Sequence, residues 1–559
     1  MTRACTPADR IRNAIVLGVG IAFALGFAHA LSGVGCVLAL AAVLILFRKR
    51  GASVARSPQA STTFGERLAV ALPALAAVAV AWPALVRPLL QGDSLGYHLP
   101  NAAAWVHANS LWTTTTWYWW YPGASELFAA TLLAVAGPLA LGFAGFAALL
   151  LLGQRISAWS IAIGTPPWVA GAIAALALSS FAIAKQAASL ENDVWLAAFF
   201  LETLWALRGN VRRLVTSAAT TALLKPTGWI YAGLALAVNR ARWPVVVAAF
   251  VPLGLWFARD AILAPHAVIA PGTVTYGHAF STTILAHGWI GLVTLAQALA
   301  RDGLATSLLF VAGLASIGLG SDRRLRIAAG VALLVFVIHP FGFSDANPQL
   351  ASGESLRYAA PFLALGALFA GDLARRAPLA IGAAALLVAG FDIARVVDVF
   401  SADVTTRGTA AVALVTGAVL LLPVARGWLR ASAVATAAAA LVAYAVVLAG
   451  SHPLDYYEDW LDRGTHHSTF FHWLARNRPA AIVGYGLRVG AIAAVSPQTE
   501  AIDPVIADPC GEARRLGALL VAADDVPVPD APQGGPRRLV LACGPTVFDD
   551  GSTLVVRPR

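Results

Sequence analysis

The chain has 559 residues, of which 58% are hydrophobic and 12% charged, with a mean hydropathy of +0.72. That balance excludes a soluble globular enzyme and describes a chain that crosses a membrane many times. The formal net charge of +10 does not point to nucleic acid, because the arginines stand in short clusters between apolar runs, where they mark cytoplasmic turns and contact anionic lipid.

Apolar runs near the roughly 17 to 25 residues that cross a bilayer recur from residue 13 to about residue 450. Arg3, Arg10 and Arg12 precede the first run, and Arg48, Lys49 and Arg50 follow the second. Arg155, Arg208 with Arg212 and Arg213, Arg240 with Arg242, Arg323 with Arg324 and Arg326, Arg375 with Arg376, and Arg426 with Arg430 mark later cytoplasmic turns. The loops at 91–123, 185–193, 259–303, 339–357 and 392–408, with everything after 451, then fall outside. The expectation is an all-α polytopic membrane protein with about 13 to 15 transmembrane helices over 1–451.

Three stretches within that region are unusual. Arg10, Arg12, the following apolar run and Ala28-His29-Ala30 resemble a signal peptide with its cleavage site; the apolar run resumes at once, and the topology beyond is the same with or without cleavage. Residues 124–153 carry a Gly137-Pro138 break and read as one crossing preceded by a surface helix. Residues 214–238 are split at Lys225-Pro226 into two short halves, which are tolerated only against protein or a wet cavity.

The loop at 91–123 has no lysine or arginine, and its only carboxylate is Asp93. Tyr97 and His98 follow, then Trp105, Trp112, Trp117, Tyr118, Trp119, Trp120 and Tyr121. A lone acid beside an aromatic wall at a membrane surface suggests an active site, although Asp-Ser also opens helices as a cap and aromatics also belt interfaces. His98 is a candidate for proton transfer or phosphate contact. Lys225, Arg259 and Arg357 each end or interrupt an apolar run on the expected outer side, where an ionisable group is costly enough to be a functional candidate. The three cations suit a phosphate; the bland account of each is snorkelling to headgroups.

After residue 451 the composition changes. Residues 452–479 are polar and aromatic, with His466, His467 and His472 reading as linker rather than metal site, and 480 onward shows β-like runs (AAIVGYGLRVGAIAAV, LGALLVAAD, RRLVLAC, STLVV) between turn residues. Residues 452–559 are thus expected to form an extracytoplasmic linker and a small α/β domain. Gly484-Tyr485-Gly486 with Gly490 lacks dinucleotide-binding spacing and reads as strand, turn and helix. Cys510 and Cys543 both lie in this outer region, where thiols oxidise, and are expected to form a disulfide. No Cys/His ligand spacing is present, so no metal site is assigned.

Gly92-Asp93-Ser94-Leu95-Gly96-Tyr97-His98-Leu99-Pro100, followed by the Trp/Tyr stretch and Tyr121-Pro122, resembles polytopic glycosyltransferases of the GT-C superfamily, the class of protein O-mannosyltransferases and aminoarabinose transferases. Glu191-Asn192-Asp193 resembles the second external acidic motif of that class, Leu224-Lys225-Pro226-Thr227-Gly228 its lysine-bearing helix break, and Arg357-Tyr358 a late span opening; together they cover about residues 90 to 360. The chain departs from that pattern in an additional apolar pair before the span leading to Asp93, and in a single acid where some relatives have two.

The resemblance implies transfer of a sugar from a polyprenyl-phosphate donor to an extracytoplasmic hydroxyl of a glycan, glycolipid or protein. Asp93 would be general base, and Lys225, Arg259 and Arg357 would bind the donor phosphate. Tyr97, His98, Trp117, Tyr121, Glu191 and Asp193 would bind substrate. No cofactor is required, and a divalent cation between Asp93 and Asp193 stays open. The rival from another class is a multi-span transporter or lipid flippase, which has broken helices but carries its charges near mid-span. The alanine- and arginine-rich composition, with one methionine, points to a bacterial inner membrane and a role in the cell envelope. This topology predicts that Ser94→Cys reacts with an impermeant thiol reagent added to intact cells and that Gly51→Cys is protected; the reverse pattern inverts it.

Overall fold

The computed structural model describes residues 6–51, 63–86, 94–116, 118–206, 210–263, 283–339, 356–400, 468–485, 487, 489–496, 498–502, 508–523 and 535–559. In chain order its helices are α1 (Pro7–Phe27), α2 (Gly33–Gly51), α3 (Phe64–Val86), α4 (Leu99–His107), α5 (Ala124–Ala136), α6 (Gly142–Ala162), α7 (Pro167–Ser179), α8 (Phe181–Ala184), α9 (Asp193–Trp205), α10 (Val211–Ala222), α11 (Pro226–Val238) and α12 (Trp243–Leu263). They continue with α13 (Gly288–Asp302), α14 (Leu304–Leu319), α15 (Arg323–Val337), α16 (Ala360–Ala374), α17 (Pro378–Phe400), α18 (Ser468–Asn477), α19 (Gly490–Val495), α20 (Pro509–Leu516) and α21 (Gly535–Leu541). The strands are β1 (Ala481–Tyr485), β2 (Glu500–Ile502), β3 (Leu519–Ala522), β4 (Thr546–Asp549) and β5 (Leu554–Val556).

The protein is a helical multi-pass membrane protein with a small α/β region at its C-terminal end. Among the described residues, six helices are long and apolar enough to cross a bilayer, or seven if the bent pair Pro167–Ser179 and Phe181–Ala187 is one span. Shorter apolar helices at Gly33–Ala42, Ala124–Ala136, Pro226–Val238 and Leu304–Leu319 accompany them. The expected crossings and outer loop between 401 and 451 lie outside the described residues.

The chain divides into two compact units. The first comprises Met1–Leu17, Ala55–Pro83 and Gly145–Val442. Here α7 packs on α17, α14 on α16, and α10 on α9, α11 and α12. Small residues bring helices together where lipid supplies no hydrophobic drive: a Cβ on Gly366 of α16 would stand 2.1 Å from the Leu309 carbonyl oxygen of α14.

One closed ring of charge ties four helices of this unit. Arg155 of α6 donates from Nε to Glu202 Oε1 of α9 at 2.6 Å and from Nη2 to Asp9 Oδ1 of α1 at 2.8 Å. Arg213 of α10 reaches the same two acids, both at 2.6 Å. Arg155 and Glu202 are fully buried, and the Arg155 guanidinium lies 5.0 Å from the Trp205 ring centre. Arg12 adds a bond from Nε to Ser217 Oγ at 3.1 Å. These arginines read from the sequence as markers of a cytoplasmic face; in the structure they are also the polar interior of the bundle, because Asp9 and Glu202 stand opposite them.

The second unit comprises Gly18–Val54, Ala84–Ala144 and Ala443–Arg559. The loop after α4 is bound to the end of α1: Leu111 N–H donates to Gly26 O at 2.9 Å, and Trp112 Nε1 to Phe27 O at 3.1 Å. A break at Gly137, with φ of 79°, separates α5 from the 3-10 turn Pro138–Leu141. The sheet order is β2-β1-β3-β5-β4. β1 is parallel to β2 and β3, while β5 is antiparallel to β3 and β4. Val483, Ile502, Leu520, Val540, Leu554 and Val556 form its core.

Cys510 of α20 and Cys543, just after α21, form a disulfide with Cα atoms 5.5 Å apart. At the surface, Arg537, hydrogen-bonded at 2.6 Å, holds Asp549 below the usual carboxylate range. Two of the four β-like runs change identity. Residues of RRLVLAC form α21, since Gly535-Pro536 opens a helix and Val540 and Cys543, three apart, face the core while Leu541 is exposed. The first run is β1 only to Tyr485 and then α19, a strand, turn and helix as its glycines indicate. Strands β2 and β4 were not among the runs expected from the sequence.

Removing one partner of a buried ion pair typically costs about 3–5 kcal/mol. Glu202→Gln is therefore expected to lower the unfolding free energy of the detergent-purified protein by about that amount; an unchanged denaturation midpoint would mean that the ring does not carry the bundle.

Candidate functional site

Two constellations, one in each unit, contain the described candidates other than Arg259. In the first unit, the residues come from three helix openings. Ser189 closes the turn ahead of α9, accepting from Glu191 N–H at 3.2 Å, and Gln186 Oε1 accepts from Val194 N–H at 2.8 Å, so that Glu191 and Asp193 are held at the start of the helix. Asn192 Nδ2 donates to Leu224 O at 3.0 Å, which ties this turn to the break before α11. Lys225 is the N-cap residue of α11, extended because proline follows it. Arg357 and Tyr358 lie in the 3-10 turn Leu356–Ala359 that leads into α16.

These openings meet through charge. Lys225 is ion-paired with Asp193, and Arg357 with Glu191; Arg357 Nε also stands 3.8 Å from Asp193 Oδ2. The Lys225 ammonium and the Arg357 guanidinium both lie 5.1 Å from the centre of the Tyr358 ring, and Arg357 Nη2 donates to Tyr358 Oη at 3.1 Å. His339 stacks on Tyr358 with ring centres 3.9 Å apart. Lys225 and Asp193 are 5% and 3% exposed. The structure thus brings together four of the charged candidates, Glu191, Asp193, Lys225 and Arg357.

It does not place Arg259 in that group. Arg259 is fully buried in α12, 2.6 Å from Asp260 Oδ1, with its guanidinium 4.2 Å from the Trp256 ring centre. Sequence reasoning treated it as a bare cation and left out the acid beside it.

In the second unit, a π-helical turn, Ser94–His98, runs directly into α4. His98 Nδ1 lies 2.5 Å from Glu126 Oε1, and Ser125 Oγ donates to Glu126 Oε2 at 2.7 Å. His98 and Glu126 are 1% and 0% exposed, and among the described residues His98 Nε2 is buried with no hydrogen-bond partner. A carboxylate on Nδ1 sets the ring orientation. Tyr97 packs 4.0 Å from the His98 ring centre and 4.8 and 6.2 Å from those of Tyr118 and Tyr121; Trp120 lies 5.7 Å from Tyr121. Asp93 and Trp117 lie outside the described residues, as do His466 and His467.

Glu126 was missed because the outer loop was ended at Gly123. An acid in the first turn of a helix, three residues after Tyr121-Pro122-Gly123, was the available signal. His339 was missed because nothing in the sequence joins it to Tyr358. Among the described residues, no three His, Cys, Asp or Glu side chains come together as a metal-binding group.

No family model matches the chain, and no curated protein matches it. Among solved structures, it is similar to the crystal structure of ArnT from Cupriavidus metallidurans bound to undecaprenyl phosphate, with 16% identity and a TM-score of 0.46 over 86% of this chain and 96% of that one. It is likewise similar to the same protein in the apo state, with 17% identity and a TM-score of 0.42 over 85% of this chain and 95% of that one. Both TM-scores lie below 0.5, so neither likeness bears on the chemistry of this chain.

Breaking a buried pair is costly, whereas removing both partners is often nearly neutral. Lys225→Met is expected to destabilise the protein by about 3–5 kcal/mol, and Lys225→Met combined with Asp193→Asn to recover most of that loss. Thermal unfolding in detergent measures both; additive losses would mean that the two side chains are not partners.

Proposed function

We propose that the protein is a membrane glycosyltransferase that moves a sugar from a polyprenyl-phosphate donor to an acceptor hydroxyl on the outer face of a bacterial inner membrane. The observation that carries this proposal is the position of the Glu191, Asp193, Lys225 and Arg357 cluster: each residue stands at or just before the start of a helix, not along one. Charges at helix openings suit a substrate held at the membrane surface by its phosphate. A transporter gathers them near mid-span.

In this mechanism Asp93 takes the proton of the acceptor hydroxyl as its oxygen attacks the anomeric carbon, and the bond from that carbon to the phosphate oxygen breaks. Lys225 and Arg357 meet the charge that develops on the leaving phosphate, as preorganised cations do in a site sheltered from water. Arg259 is the third cation assigned to the donor phosphate, and because Asp260 already meets its charge, its variants need a stability measurement beside the activity. Glu191 and Asp193 hold the two cations in place and contact the sugar. Tyr97, His98, Trp117 and Tyr121 are assigned to binding substrate. The acceptor is a glycan, a glycolipid or a protein hydroxyl. A divalent cation is not required by this chemistry, since lysine and arginine suffice for a monophosphate leaving group.

The test is release of free polyprenyl phosphate from a panel of polyprenyl-phosphate sugars by the protein in liposomes, with an envelope extract as the source of acceptor. Sugar-dependent release is expected, reduced about 10²- to 10⁴-fold in Asp93→Asn, the range for loss of a general base. Release that persists in a folded Asp93→Asn variant removes the base assignment. No release with any donor, from protein that still moves a labelled lipid across the bilayer, overturns the transferase in favour of a flippase.

A further inference from the structure

Gly490 is the glycine left over from the run Gly484-Tyr485-Gly486, whose spacing fits no dinucleotide site. It opens α19, and α19 packs on the π-helical turn Ser94–His98 and on α4, while β2 also packs on α4. A Cβ at Gly490 would stand 2.4 Å from Leu95 O, 2.7 Å from Leu95 Cα and 2.9 Å from Leu95 C. All three are backbone atoms, so no side chain can swing aside to admit it. Leu95, Val489 and Ile492 are completely buried, and Ala491 nearly so. The contact is therefore a close backbone approach that only glycine permits.

Leu95 lies two residues after Asp93 and three before His98. The turn is also tied by the His98 to Glu126 contact at 2.5 Å and by Tyr97 against Tyr118. The turn is thus held by two elements, by α5 through Glu126 and by the α/β region through Gly490. We infer that the C-terminal α/β region is a clamp that sets the backbone of the Ser94–His98 turn, and that Gly490 is the positioning residue through which it acts. The clamp's effect on catalysis rests on the proposed transferase function; the clamp itself does not.

The experiment uses the full-length protein in lipid nanodiscs and compares Gly490→Ala with Gly544→Ala. A Cβ at Gly544 would stand 2.0 Å from Arg557 O, an equally severe backbone collision inside the α/β region. Backbone hydrogen exchange over residues 94–104 is expected to speed up at least tenfold in Gly490→Ala and to stay at the wild-type rate in Gly544→Ala. In the release assay, Gly490→Ala should lower kcat about 10- to 100-fold, the cost of misplacing a reacting group by about 1 Å, with KM for the donor within about twofold of wild type. If Gly490→Ala does not accumulate as folded protein, Ile492→Ala, which loosens the same short helix without adding atoms, takes its place with the same expected exchange. Unchanged exchange over 94–104, or equal acceleration by Gly544→Ala, overturns the clamp. A wild-type protein that releases no polyprenyl phosphate overturns the transferase instead, and the exchange comparison still decides the clamp.

Discussion

A charge inside an apolar bundle must meet an opposite charge, and this constraint organises the first unit. Desolvating an ion costs several kcal/mol even after relaxation, and only good geometry and further hydrogen bonds repay it. The Asp9, Arg155, Glu202 and Arg213 ring meets that condition with two acids each shared by two arginines, at distances of 2.6 to 2.8 Å. Because the four residues lie on α1, α6, α9 and α10, forming the ring fixes those helices relative to one another. Helix α9 then runs from Glu202 back to Asp193, its first residue. The same helix therefore carries an acid of the structural ring near one end and an acid of the candidate site at the other.

Much of the fold was legible in the sequence, for reasons that differ by region. Apolar runs and arginine clusters report membrane crossings because the bilayer punishes exceptions, and the breaks at Gly137-Pro138 and Lys225-Pro226 appear where proline and glycine placed them. The C-terminal region was legible in class and in its disulfide but not in its elements: a short apolar run such as Leu539-Val540-Leu541 fits a strand or a helix equally, and only packing against the sheet chose the helix. In the site, Glu191, Asp193, Lys225 and Arg357 could be named one by one. Their pairing could not, because partners 32 and 166 residues apart in sequence leave no periodicity. The acid that pairs with Arg155 was not legible for the same reason, whereas the acid that pairs with Arg259 is its neighbour in sequence. A cation at the end of an apolar run looks like a lipid anchor until its acid is found.

The glycines make the complementary point. Gly490 belonged to a run that imitates a nucleotide-binding loop, and its physical role is to let the backbone of α19 lie against that of Leu95. Glycine marks close approach of any kind, to a ligand or to another segment of the same chain. Composition alone does not distinguish the two; what the missing Cβ would strike does.

The cluster at Lys225 and Arg357 violates a local rule. The start of a helix carries a partial positive charge, which favours acids and disfavours cations. Asp193 obeys this, since it sits in the first turn of α9. Lys225, as N-cap of α11, and Arg357, in the turn entering α16, do not. Both are retained because Asp193 and Glu191 are close enough to offset them, and both cations lie against one tyrosine ring. Foldable sequences are locally consistent, and departures from local preference concentrate where function demands them. Stability alone is poorly served by cations at two helix starts, since apolar residues of similar size would avoid the desolvation altogether. An anion drawn to this place would gain from both cations. That advantage is specific to an anion such as phosphate, and it is the physical reason for proposing that a donor phosphate is held by this cluster.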